Sequence, residues 1–161
     1  MQLSEAKFEV RIAAISDAAA IAKVLYESFL GYESLYTDEG FAATTPQAEQ
    51  VRARMSEGPI WIALLNGVIV GTASAVLKQE SLYIRGMAVL SNARGNRLGE
   101  LLLTQIESYA NEKSCTRLFL STTPFLDRAI RLYEKFGFIR TDEGPHDLCG
   151  TPLFTMEKQL L

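Results

Sequence analysis

Apolar and polar residues alternate at the start of the chain, and the spacing then becomes helical. The alternation over 8–14 predicts a first strand. Ser16 is a suitable helix cap, and the apolar stripe that follows it predicts a helix over 17–30. Residues 32–44 are polar and aromatic, so this segment is predicted to be a loop that can include a helical turn.

A short helix and a hairpin are predicted next. Thr45-Pro46 is a good cap and first-turn pair, and the helix that it opens ends at Gly58-Pro59. Two apolar stretches, 60–65 and 68–77, are joined by Asn66-Gly67. Because Asn-Gly tolerates the positive φ angles of a tight primed turn, these stretches predict an antiparallel pair.

The middle of the chain has the pattern of a strand, a helix and a second strand. Residues 81–90 predict a strand, a glycine-containing turn follows, and 117–121 predict the next strand. The helix between them is predicted to face inward through Leu98, Leu101, Leu102, Ile106, Tyr109 and Ala110.

The last third predicts one helix and two closing strands. Thr123-Pro124 caps a helix over 125–136 that ends at Gly137, and 138–140 and 153–156 predict strands joined by a polar loop. This order of elements indicates an α/β or α+β fold, with a mixed sheet and helices on its faces. No repeat, linker or low-complexity run divides the chain, so one domain over 1–161 is expected.

Composition narrows the classes of function. The chain has 161 residues and a net charge of −3, which argues against a general nucleic-acid or membrane-surface binder. Its two cysteines, Cys115 and Cys149, have no metal-site spacing, so we expect neither a disulfide framework nor a zinc site. The expected location is the reducing cytoplasm. We find no export signal and no membrane-spanning stretch.

The turn between the predicted strand 81–90 and its helix has the chemistry of an anion site. Gly95 and Gly99 remove side chains from the turn, Arg94 and Arg97 add two cations, and no acidic residue lies between Ser81 and Gly99. The first turn of a helix has unpaired backbone N–H groups and a partial positive charge. A phosphate group is therefore expected at this turn, although a plain helix start with solvated arginines is the alternative. Neither the Walker nor the Rossmann glycine pattern is present.

The same residues resemble the GNAT superfamily of acyl-CoA-dependent N-acyltransferases. Its pyrophosphate loop reads Gln/Arg-x-x-Gly-x-Gly/Ala, and here it is Arg94-Gly95-Asn96-Arg97-Leu98-Gly99, with Arg97 in place of a glycine. A second match lies in Leu132-Tyr133-Glu134-Lys135-Phe136-Gly137-Phe138, which is similar to the family's C-terminal helix signature. The resemblance implies a mixed, mostly antiparallel sheet of about seven strands that is splayed between strands 4 and 5 and flanked by about four helices.

The resemblance also implies acetyl-CoA as co-substrate. Backbone groups of Met87, Ala88 and Val89 would pair with the pantetheine arm as an added strand does. The backbone N–H groups of the pyrophosphate loop would hold the pyrophosphate. The residues of this loop are Arg94, Gly95, Asn96, Arg97, Leu98 and Gly99. Leu126 stands where the family often has an asparagine that contacts the cofactor.

Tyr133 is the expected catalytic residue, since a phenol can protonate the thiolate that leaves when an amine attacks a thioester. A tyrosine at this helical spacing also fits plain core packing. Glu33, Tyr36, Tyr83 and His146 are the tentative acceptor-site residues. The general base is left open among Glu33, Asp38, Glu80, Tyr83 and His146. One histidine without clustered partners predicts no metal site.

These observations predict an N-acetyltransferase that moves the acetyl group from acetyl-CoA to a primary amine by direct attack in a ternary complex. The alternative is a non-catalytic acyl-CoA-binding module or sensor, which Leu126 and the unassigned base keep open. A preference for longer acyl chains and a homodimer are also open. The acceptor is a small molecule or a protein amine, and the net negative charge mildly favours a cationic one.

Overall fold

The computed structural model describes residues 6–161. The described part of the chain contains nine strands and five α-helices. The helices are α1 (Ala18–Leu30), α2 (Asp38–Thr44), α3 (Ala48–Met55), α4 (Leu98–Glu112) and α5 (Asp127–Phe136). The strands are β1 (Phe8–Ile12), β2 (Ile60–Leu65), β3 (Val68–Lys78), β4 (Ser81–Val89), β5 (Arg117–Thr122), β6 (Ile139–Thr141), β7 (Asp147–Leu148), β8 (Thr151–Pro152) and β9 (Phe154–Gln159).

Seven of the strands form one mixed sheet. Their spatial order is β1-β2-β3-β4-β5-β9-β6, and β7 pairs with β8 in a separate two-stranded ribbon. Only β4 and β5 run parallel in the sheet; every other neighbouring pair in it is antiparallel. The prediction of a mixed, mostly antiparallel sheet with helices on its faces is confirmed.

The sheet is buried on both faces, as the sequence of β2 shows. Ile60, Ile62 and Leu64 pack on one face with α1 and α3, whereas Trp61 and Ala63 belong to the core on the other face. Successive strand residues point to opposite faces, so a continuous apolar run is what a doubly covered strand requires. The core on the second face includes Leu98, Leu102, Leu103, Ile106 and Ala110 of α4.

The segment 32–44 contains more helix than the predicted loop with a helical turn. It contains a 3₁₀ turn, Glu33–Leu35, and the helix α2. The Thr37 hydroxyl accepts a hydrogen bond from the Gly40 N–H at 3.0 Å, and the Thr37 N–H donates to Thr151 Oγ1 at 2.9 Å. These bonds tie the start of α2 to the β7-β8 ribbon, which the sequence analysis also missed.

Two predicted helix starts are also wrong. Helix α3 begins after Gln47, and the Gln47 N–H donates a hydrogen bond to Gln50 Oε1 at 2.9 Å. The Thr45 hydroxyl does not cap α3; it donates to Phe41 O at the end of α2. Helix α5 begins at Asp127, two residues later than predicted. Pro46 lies directly before the cap residue Gln47, and Pro124 lies in a short turn that precedes α5.

One of the predicted inward positions of α4 is wrong. Leu101 is 42% exposed, whereas Leu103 is fully buried.

The difference in burial along α4 gives a matched test of the core packing. We expect Ile106→Ala to lower the free energy of unfolding by about 3–4 kcal/mol, because it leaves a cavity between α4 and the sheet. Leu101→Ala on the same helix should change it by less than ~1 kcal/mol. Urea denaturation of both variants measures the difference, and equal losses would contradict this packing.

Candidate active site

A gap opens between β4 and β5 at the centre of the sheet. The two strands pair from Ser81 with Arg117 to Ile84 with Leu120, and beyond Ile84 the side of β4 that faces β5 has no partner strand. A bulge lies at the same place, because Ser74 of β3 pairs with Arg85 while Thr72 pairs with Ala88. One extra residue of β4 is accommodated there. Gly86 makes this possible with a φ of +61°, a conformation that other residues rarely adopt.

The gap is the floor of a cleft of about 650 Å³. That volume is typical of a small-molecule site. The two splayed strands contribute Met87, Ala88 and Val89 from β4 and Leu120, Ser121 and Thr122 from β5. The walls contain most of the residues predicted from the sequence, namely Tyr36, Tyr83, Arg94, Gly95, Arg97, Leu98, Gly99, Leu126 and Tyr133. Asn96 is not among the lining residues; its side chain caps the turn by donating to Ala93 O at 3.0 Å.

The loop before α4 presents an uncapped helix N-terminus to the cleft. The first helical hydrogen bond runs from the Leu101 N–H to Arg97 O at 3.0 Å, and no side chain caps the helix. The N–H groups of Leu98, Gly99 and Glu100 therefore have no partner within the helix. Gly95 has a φ of +89°, and a Cβ built on it would meet no atom within 4 Å. The open side of Gly95 is where an anion can approach the backbone closely.

A glycine is required at position 99 for a different structural reason. A Cβ built on it would lie 2.6 Å from Leu132 Cδ2 and 3.7 Å from Met87 Cε. Gly99 therefore lets α4 and α5 pack closely, and a larger residue there would disturb the fold as well as the loop. Of the two glycines, Gly95 is the one that can be replaced without a steric clash inside the protein.

Tyr133 lies on α5 with its side chain in the wall of the cleft. It is only 7% exposed, and its ring packs against Phe138 with a centroid distance of 5.9 Å. Burial, with a smaller contribution from Tyr36, raises the pKa of Tyr133 far above its ordinary value. The phenol therefore keeps its proton throughout the neutral range, and it makes no side-chain hydrogen bond to any other residue in 6–161.

The predicted acceptor residues are only partly brought together. Tyr36 is buried, which raises its pKa, and Tyr83 stacks on Phe119 at 5.1 Å. Both line the cleft. The other four candidates for acceptor binding or for the general base are exposed and lie outside the cleft lining, namely Glu33, Asp38, Glu80 and His146. The bonds of Thr37 to the β7-β8 ribbon set the orientation of this region, and no sequence pattern predicts them.

Comparison with known proteins identifies the family. The sequence profile of the acetyltransferase (GNAT) family matches residues 21–138. The chain belongs to this family. It is 28% identical over 134 residues to the uncharacterized N-acetyltransferase YjgM of Escherichia coli, a match that covers 80% of each chain.

Solved structures share the GNAT fold over nearly the whole chain. The PaiA N-acetyltransferase of Thermoplasma acidophilum, in complex with coenzyme A, matches with a TM-score of 0.77 and 19% identity, over 96% of this chain and 99% of its own. YncA of Salmonella typhimurium, solved with its cofactor acetyl-CoA, matches with a TM-score of 0.72 and 21% identity, over 94% and 93%. In the described part of this GNAT chain, no helix is both long and apolar enough to cross a membrane.

Several residues of the GNAT cleft were not found from the sequence. Arg54 of α3 and Arg85 of β4 line it, and so does Arg128 of α5. Three lining hydroxyl groups, those of Ser28, Thr122 and Thr123, are buried without a hydrogen-bond partner among residues 6–161. The position of Arg54 could not be read from the sequence, because it depends on how α3 packs on β4.

Arg97 adopts the left-handed conformation that favours glycine, with a φ of +59°. We expect Arg97→Gly to raise the free energy of unfolding by about 0.5–1 kcal/mol, because the backbone strain is relieved. The same variant should weaken acetyl-CoA binding by about three- to tenfold, because one cation is lost from the loop. Arg97→Ala is the matched control: it should lose the same affinity without the gain in stability. Unchanged affinity in both variants would show that this side chain does not reach the ligand.

Proposed function

We propose that this protein is an acetyltransferase that transfers the acetyl group of acetyl-CoA directly to a primary amine, with residues 1–161 acting as one catalytic domain. The observation that carries the proposal is one continuous cleft with three parts: the uncapped N-terminus of α4, the gap between β4 and β5, and the buried Tyr133. Neighbours of the same fold have been solved with coenzyme A and with acetyl-CoA.

The residues present fit the parts of acetyl-CoA. The N–H groups at the start of α4, with Arg94 and Arg97, would hold the pyrophosphate. The unpartnered side of β4 would hydrogen-bond the amide groups of the pantetheine arm through Met87, Ala88 and Val89. Leu126, which lines the cleft, would contribute an apolar contact to the cofactor.

Catalysis would depend mainly on positioning. Holding the thioester and the amine together in one cleft removes the entropy cost of their encounter, which is worth up to ~7–11 kcal/mol. The amine nitrogen forms a bond to the acetyl carbon, the carbon–sulfur bond breaks, and the thiolate receives a proton. Tyr133, whose side chain lies in the wall of the cleft, would donate that proton.

The amine proton has few acceptors in this cleft. Glu100 is the one carboxylate among the lining residues described, and it is paired with Lys135 at 3.0 Å. Tyr83 is the one member of the predicted base set that lines the cleft. We propose that the acceptor reacts after losing its proton to water. The positive charges of Arg54 and Arg85 favour the neutral amine, because they disfavour a second cation beside them.

The direct test is incubation of the purified protein with acetyl-CoA and a panel of amines, with thiol release and product mass as the readouts. We expect stoichiometric formation of an N-acetyl product and free coenzyme A. Binding of acetyl-CoA without transfer to any amine would favour the acyl-CoA-binding module. A parallel series with butyryl-CoA decides whether longer acyl chains are accepted.

A further inference from the structure

Two arginines occupy the part of the cleft that lies away from the pyrophosphate loop. Arg54 Nη1 is 3.3 Å from the position that a Cβ on Gly86 would take, so the guanidinium lies against the bulge of β4. From Gly86 to Val89, where the strand leads toward the loop, the chain rises by about 10 Å, at ~3.3 Å per residue. Arg54 is therefore placed at the acceptor end of the cleft, and Arg94 and the α4 N-terminus serve the other end.

The two arginines differ in their partners. Arg85 forms an ion pair with Glu57. Within the described residues, Arg54 has no carboxylate at ion-pair distance, and its side chain donates only one long hydrogen bond, to Ala43 O at 3.5 Å. A guanidinium presents several N–H groups in a planar fork that matches a carboxylate. Most of the fork of Arg54 is therefore free to bind a ligand.

The charge of Arg54 is also poorly compensated. Burial is the main factor that lowers its pKa, and the neighbouring Arg85 lowers it further, while Glu57 opposes them. Arg54 is half-buried, so water compensates its charge only in part. An anion bound beside Arg54 would relieve both unfavourable effects.

The rest of the acceptor end offers no site for a cationic substrate. None of the lining residues near Arg54 is acidic, and Glu100 stands in the first turn of α4. Other residues that line the cleft are aromatic or aliphatic, among them Phe29, Tyr36, Leu148 and Leu153. A polyamine or an aminoglycoside would find repulsion here, contrary to the expectation from the net charge of −3. An acceptor in the cleft interacts with the nearby positive arginines and much less with the net negative charge of the whole chain.

We propose that the acceptor is a small amine that also carries a carboxylate, that is, an amino acid, and that Arg54 binds its carboxylate. This inference rests on the proposed transferase function and specifies its substrate class. Arg54 would fix the acceptor by a forked, charge-assisted hydrogen bond, so that its amine can face the thioester. The cleft of about 650 Å³ must also hold the acyl end of acetyl-CoA, which favours a small acceptor over a protein.

The experiment compares amino acids with their decarboxylated counterparts. Phenylalanine is paired with phenethylamine and leucine with isoamylamine, and spermidine represents polycations. The wild-type kcat/KM should be at least ~10-fold higher for each amino acid than for its amine. Arg54→Gln should raise KM for the amino acids about 30-fold, leave KM for acetyl-CoA within about twofold, and remove the preference. Arg54→Lys should retain part of the preference, because its charge remains.

Arg52→Gln is the matched control, since Arg52 is exposed on the same helix and lies outside the cleft lining. It should leave every constant unchanged. Equal or better use of the decarboxylated amines or of spermidine would overturn the inference and leave the transferase function standing. The same holds if Arg54→Gln keeps the preference, or if its kcat falls without a change in KM for the amino acid. Absence of transfer to every amine would overturn both, and a separate acetyl-CoA titration would then show whether the cofactor part of the cleft still binds.

Discussion

Tyr133→Phe is expected to lower kcat about 100-fold while acetyl-CoA affinity changes by less than about threefold. Phenylalanine fills the same space in the cleft wall, including the contact with Phe138, so only the proton donor is lost. A thiolate that leaves without this proton is a higher-energy product, and the loss therefore falls on the chemical step. Steady-state kinetics combined with calorimetric titration of acetyl-CoA separates the two effects.

Tyr109→Phe is the matched control for this variant. Tyr109 packs edge-on against Trp61 at 5.5 Å and is not a cleft residue. The Tyr109→Phe variant should therefore keep wild-type turnover. Because the pKa of Tyr133 is raised, its deprotonation should cause no loss of turnover below the ordinary tyrosine pKa of about 10. Equal losses of turnover and of affinity in Tyr133→Phe would contradict the proton-donor role and leave a packing role.

Gly95→Leu is expected to weaken acetyl-CoA binding at least ~100-fold, or about 2.7 kcal/mol. A side chain at Gly95 would occupy the open side of the loop, where the pyrophosphate approaches the backbone. A positive φ of +89° adds strain of ~1–2 kcal/mol to any residue other than glycine. Binding has to be measured well below the melting temperature, so that the strain is not mistaken for lost affinity.

The hairpin turn supplies a control for that strain. Gly67 has a φ of +81°, and a Cβ on it would also meet no atom within 4 Å. Gly67→Leu should lose about as much stability as Gly95→Leu, yet bind acetyl-CoA like the wild type. If Gly95→Leu kept its affinity, the phosphates would bind elsewhere and the central part of the proposed site would be wrong.

Local signals predicted the elements that depend on local energetics. Asn66 and Gly67 do adopt positive φ angles of 52° and 81°, as the tight turn requires. Gly137 ends α5 with a φ of +108°. In each case the steric preference of a few adjacent residues decides the conformation, so the sequence pattern was sufficient.

Positions that depend on distant contacts were not predictable in the same way. Leu101 and Leu103 flank Leu102 in an unbroken apolar run, and only the packing of α4 on the sheet decides that Leu103 is buried. Helix α2 is held by bonds from Thr37 to Thr151, which is 114 residues away in sequence. Without that contact, the polar segment 32–44 has a weak helix signal.

The same distinction between local signals and distant contacts applies to the candidate site. The pyrophosphate loop and Tyr133 were found because both lie in contiguous motifs. At the acceptor end, Tyr36 and Tyr83 were predicted but the arginines were missed, since Arg54 and Arg85 are brought together there by the packing of α3 and β4. Arg52 and Arg54 are two residues apart on α3, and their sequence context does not tell which one faces the bulge at Gly86.

The measurement that tests the central claim most directly is a calorimetric titration of the wild-type protein with acetyl-CoA, repeated with coenzyme A. We expect one site per chain with micromolar affinity for both ligands, because the pyrophosphate and the pantetheine arm are common to them and fit the same cleft. No heat of binding from either ligand would contradict the account, since the cleft between β4 and β5 would then have no acyl-CoA to present to an amine.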